Sequence, residues 1–133
     1  MDRKVKAVIN GIERELNYSI EVMFNMRDKY GDIQKALTLI AADNKESFEA
    51  VRWFAVQMAN DGELCRRDAG YDHMPLVSAK DISLRMKPLD YETLKAAVVD
   101  AITLGYRREV NNEDVETDLG LEELRAKKAE AVE

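Results

Sequence analysis

The dipeptide Asn10-Gly11 constrains this chain more than any other feature. It is the preferred pair for a two-residue type I′ hairpin turn, whose central positions both need positive φ. A turn centred there sets the register of residues 4–17. Ile9 faces Ile12, Ala7 faces Arg14 and Val5 faces Leu16 on one side. Val8 faces Glu13, Lys6 faces Glu15 and Lys4 faces Asn17 on the other. The first side is apolar apart from Arg14, and the second carries a Lys-Glu cross-strand pair. A hairpin alone is marginally stable in water. Its apolar side must therefore lie on helices or on another subunit, and its outer strand offers a free edge for pairing.

The following residues have the periodicity of helices. Residues 19–30 place Ile20, Met23, Phe24 and Tyr30 near one face, with Gly31 as the stop. Asp32 caps a second helix with the stripe Ile33, Ala36, Leu37, Ile40 and Ala41. Asn44 caps a third, whose stripe is Phe48, Val51, Phe54, Ala55, Met58 and Ala59, with Trp53 just off the seam. Asn60-Asp61-Gly62 either breaks this helix or lies inside a longer one that reaches Ala69 and stops at Gly70; continuation is the preferred reading. Residues 70–77 read as a loop. Ser78 and Asp81 make a capping-box-like start for a short helix carrying Ile82 and Met86, ended by Lys87-Pro88. Asp90 caps a last helix with Leu94, Ala97, Val98, Ala101 and Ile102 on one stripe and Gly105 as its end.

After Tyr106 the character changes. Residues 106–133 hold nine acidic and five basic side chains, −4 of the chain's formal −6. Leu119, Leu121 and Leu124 are too few for a core, so this stretch reads as a mobile solvated tail with a nascent helix over 121–132. The fold class is thus α+β, mainly α. An N-terminal β-hairpin and about five helices form one domain over 1–106, followed by a flexible acidic tail over 107–133.

The acidic balance repels phosphate backbones and anionic membranes, so neither nucleic acid nor membrane is an expected partner. One cysteine allows no internal disulfide, and no apolar run reaches signal-peptide or bilayer length, so a cytoplasmic location is expected. Catalysis and metal binding lack their parts. His73 is the single histidine and reads as a surface residue beside Asp72. Cys65 precedes Arg66 and Arg67, whose charge can lower a thiol pKa, although a single cysteine usually serves as a small hydrophobe. Glu113, Asp114, Glu116 and Asp118 share only charge with a calcium loop. The remaining carboxylates are expected on solvated faces. Arg66-Arg67 and Arg107-Arg108 read as surface charges or contacts for an acidic partner. No enzyme activity, cofactor or metal is expected.

The order of features carries a resemblance. Ile9-Asn10-Gly11-Ile12 leads to Leu16, then to Asp28-Lys29-Tyr30-Gly31-Asp32 and the short helix Ile33-Gln34-Lys35-Ala36-Leu37. A long helix and an acidic-capped segment running to Met86-Lys87-Pro88-Leu89-Asp90 follow, then the stripe from Leu94 to Gly105. Over about residues 4–106 this layout resembles the tail assembly chaperones of long-tailed phages and of prophages in Gram-positive bacteria. The resemblance implies a non-structural protein of virion assembly. Such a protein solubilises the helical tape measure protein, recruits tail tube subunits around it, and is often oligomeric. It also implies a longer form made by ribosomal frameshifting, for which Lys127-Lys128 marks a place.

An excess of methionine suits adaptable contacts. Met23 and Met58 lie on apolar stripes and read as core, whereas Met74 and Met86 flank the loop and short helix. The candidate partner contacts are Val5, Ile9, Ile12, Met74, Leu84 and Met86. Two other classes stand beside the chaperone: a small prophage-encoded interaction module or regulator acting through its acidic surface, and an enzyme built on Cys65 and His73.

Overall fold

The structure is a computed structural model, and it describes residues 4–107. The acidic tail, its helix over 121–132 and Lys127-Lys128 lie outside the described residues.

Strands β1 (Val5–Ile9) and β2 (Ile12–Leu16) form the antiparallel hairpin. Asn10 (φ 53°) and Gly11 (φ 78°) both take the positive φ of a type I′ turn. The register is the expected one, from Ile9 opposite Ile12 to Val5 opposite Leu16. The ion pairs on the outer side run diagonally instead of straight across: Lys6 Nζ lies 3.9 Å from Glu13 and Lys4 Nζ 3.7 Å from Glu15. A lysine stem outreaches the direct cross-strand spacing, so the diagonal carboxylate serves equally well.

Five helices follow: α1 (Ile20–Tyr30), α2 (Ile33–Ala41), α3 (Lys45–Asp68), α4 (Ala79–Ser83) and α5 (Pro88–Tyr106). The caps at Asp32 and Asn44 are as the sequence indicates, and Ser19 adds a third. Ser19 Oγ accepts from Val22 N, Asp32 from Lys35 N and Asn44 from Ser47 N. Helix α3 is the spine, packing against β2, α1, α2, α4 and α5. Phe54 is wholly buried at its middle, with the rings of Trp53, Tyr30 and Tyr18 at 5.0, 5.9 and 6.5 Å.

The Asn60-Asp61-Gly62 triplet lies inside an unbroken α3 and joins it to the rest of the molecule. Asn60 donates to Val77 O and accepts from Val77 N, at 3.0 and 2.6 Å. Asp61 accepts from Asn17 Nδ2 at 2.6 Å, while Asn17 N donates to Met58 O. A Cβ at Gly62 would stand 2.0 Å from Glu15 O, so glycine is what lets β2 lie against the helix.

Four expectations need correction. In α1 the buried residues are Val22 and Met26, with Met23 and Tyr30 half-buried, whereas Ile20 and Phe24 are 72% and 53% exposed. Both pairs have i, i+4 spacing and lie on nearly opposite faces, and the neighbours decide which turns inward. Helix α4 ends at Ser83, before Met86. Helix α5 starts at Pro88, not after Asp90, because proline suits the first helical position, where no N–H is needed. Gly105 lies within α5 rather than ending it; a Cβ there would meet the Tyr18 ring at 2.6 Å.

Candidate binding surfaces

Polar groups are buried at the C-terminal end of α3. Glu63 is 2% exposed and accepts three hydrogen bonds, from Met74 N at 2.7 Å, Arg66 Nη1 at 2.8 Å and Arg67 Nε at 3.0 Å. The Met74 amide, then the two arginines, overcome the opposing effect of burial and hold the carboxyl at about 2. The arginines reach onward, Arg67 to Met74 O and Arg66 to Asp72 O, so the loop over 70–77 is tied to the helix along its length. The sequence places Glu63 on a solvated face and reads Arg66-Arg67 as surface charges or contacts for an acidic partner. The structure corrects both, because the loop folds back over an i, i+3, i+4 cluster, burying the carboxylate and leaving the two arginines half-buried around it.

Cys65 is exposed, and its thiol is pushed up, first by what burial it has and then by Asp61, Asp68 and Glu15. That is opposite to the activation the flanking arginines suggested, since both are occupied by Glu63. His73 is exposed in the loop. Among the described residues no group of three or more His, Cys, Asp and Glu side chains could hold a metal ion, and no helix is long and apolar enough to cross a membrane.

The apolar surface is different in kind. A groove of about 620 Å³ opens where the end of α1 and helix α2 meet the N-terminal half of α3. Tyr30, Leu39, Trp53 and Val56 line it, each half-buried. Lys29, Arg52, Glu46 and Glu49 stand around them and mix both signs of charge. Trp53 is braced edge-on by Tyr30 at 5.6 Å and by Phe54, so it is held in place while one part stays open. Arg52 is held by Ser83 Oγ at 2.9 Å and lies over the Phe48 ring. Burial, with Glu49 adding to it, raises the Tyr30 phenol above its ordinary value, so it stays neutral. No residue of this groove was singled out as a contact in the sequence. Trp53 off its seam was the one available signal, because an aromatic beside a buried stripe sits at the rim of the interface.

A second groove of about 630 Å³ runs between β1 and the α4–α5 junction, with Ala7, Val8, Met86 and Leu94 among its residues. Of the candidate contacts, Met86 is the one that lines it. Leu84 is 75% exposed; Met86 is half-buried against the core; Ile12, Val5 and Met74 are half-buried. Ile9 is wholly buried, so it anchors the hairpin and has no surface to offer. Arg14, the polar exception on the hairpin's inner side, is 4% exposed, and its Nε and Nη1 have no hydrogen-bond partner among the described residues.

In comparisons with family models, curated proteins and solved structures, nothing matches this chain.

Proposed function

We propose that this chain is a non-enzymatic chaperone for a helical partner, acting as phage tail assembly chaperones do. It holds amphipathic helices of a tape measure protein in solution and brings tail tube subunits to them during virion assembly. The observation that carries this reading is the Trp53 groove. Its half-open floor of Tyr30, Leu39, Trp53 and Val56 and its mixed-charge rim suit a helix that is apolar on one face and charged on its flanks. A rigid aromatic held by its neighbours gives contact area at small entropic cost. The layout of hairpin and helices that resembles this family supports the same reading, as does the acidic composition of residues 106–133, which suits keeping a complex dispersed.

Co-expression with the tape measure protein of the same genome tests it. The tape measure protein should remain in the supernatant with the wild-type chain and pellet with Val56→Glu. Equal solubility with and without this chain would refute the proposal. Retained binding by the Val56→Glu chain, lost instead on deleting residues 108–133, would favour a module acting through its acidic surface.

A further inference from the structure

We infer that the free edge of β1 pairs with the same edge of a second copy of this chain, joining two hairpins into one four-stranded sheet. In a two-residue hairpin the residues flanking the turn form a hydrogen-bonded pair, and such pairs alternate along the ladder. With Ile9 opposite Ile12, Ala7 opposite Arg14 and Val5 opposite Leu16, those residues direct their N–H and C=O groups into the hairpin. Lys6 and Val8 then direct theirs outward from β1, as Glu13, Glu15 and Asn17 do from β2. On β2 the end of this edge nearest α3 is occupied, with Glu15 O against Gly62 and Asn17 N donating to Met58 O. On β1 nothing among the described residues bonds them, and the groove beside the α4–α5 junction leaves that side open.

Edge strands are usually kept apart by proline, a bulge or unneutralised lysine. β1 has no proline, its register is unbroken, and Lys4 and Lys6 each lie within 4 Å of a glutamate of their own hairpin. The edge is also complementary to itself. In an antiparallel pairing with Ala7 on the two-fold axis, Lys6 faces the other copy's Val8, and every outward N–H and C=O of these two residues finds a partner. The outer side then reads Glu15, Lys6, Val8, Glu13 across the four strands, with no like charges adjacent. Of the two neighbouring registers, one would oppose Lys6 to Lys6, and the other, Val8 opposite Val8, would run Lys6 against the Asn10 turn. Only the register centred on Ala7 pairs all of these groups without like charges. A lone hairpin gains most from such pairing, and Val8, 59% exposed, then has a neighbour on each side on the sheet's outer face.

Sedimentation of the full chain over a range of concentrations tests this. The mass should rise from 15.2 kDa towards twice that value, and the Lys6 and Val8 amides should exchange more slowly as concentration rises. Val8→Pro removes an N–H that bonds nothing within the hairpin, at a position where an edge strand tolerates proline; it should keep the helical circular dichroism and weaken association at least tenfold. A monomer at every concentration overturns the inference, and slow exchange in that monomer assigns the edge to another segment of the chain itself. Association of Val8→Pro equal to wild type also overturns it. If Val8→Pro does not fold, wild-type amide exchange at Lys6 and Val8 that is independent of concentration does so.

Discussion

The two halves of α3 treat polar and apolar groups in opposite ways. At the C-terminal end a carboxylate is 2% exposed and accepts three hydrogen bonds, so charge has gone inside to tie a loop down. In the N-terminal half Trp53 and Val56 are left half-open between Tyr30 and Leu39, with charge only around them. A satisfied polar cluster has nothing left to offer a partner, whereas an open apolar floor has not finished burying its surface. The C-terminal half therefore serves stability, and the N-terminal half is the one we propose for binding.

The largest effect should come from Glu63→Ala. It leaves Met74 N and two arginines without their acceptor and should cost about 3 kcal/mol in chemical denaturation, since the partly exposed arginines can turn to water. A loss below about 1 kcal/mol would mean that the loop is held by other contacts. The same group sets an acid dependence. Its folded value of about 2 lies below the ordinary 4.5, so its contribution is present above 4.5 and is lost as pH falls towards 2. Across that window Glu63→Gln should show a flatter stability profile than wild type.

Gly62→Ala should rank next, at about 2 kcal/mol, because the new methyl meets a backbone carbonyl that cannot rotate away. Arg14 offers the reverse test of what pairing contributes. It is as buried as Glu63 but has two nitrogens without partners, so Arg14→Met should raise the melting temperature, by the equivalent of about 1 kcal/mol. A clear loss would show that its guanidinium is better satisfied than the geometry indicates. The smallest stability effects belong to the groove. Leu39→Glu and Val56→Glu should each change stability by less than about 1 kcal/mol, yet weaken binding of an amphipathic helix by at least about tenfold.

Much of this architecture was legible where a local rule and a hydrophobic period agree. Asn10-Gly11 and the alternation around it settled the hairpin register, and the stripe from Leu94 to Ile102 is buried at every position. Legibility failed where distant neighbours decide. Ile20 and Phe24 form as good an i, i+4 pair as Val22 and Met26, and only the packing of α1 on its neighbours separates them. Glu63 looks like a surface glutamate until the loop over 70–77 returns to cover it. Gly62 and Gly105 look like punctuation, and both are places where another segment touches the helix. The Trp53 groove needs four helices, α1 to α4, brought together from separate stretches, so no single window of sequence contains it.

Trp53 is the chain's single tryptophan, so its fluorescence reports directly on the groove. The decisive measurement is a titration of the full chain with a tryptophan-free amphipathic helical segment of the tape measure protein. The emission should shift to shorter wavelength and saturate, and Val56→Glu should abolish the shift while its circular dichroism stays unchanged. Binding of the segment with no change in Trp53 emission, or with the same change in Val56→Glu, would contradict the assignment of this groove as the partner site.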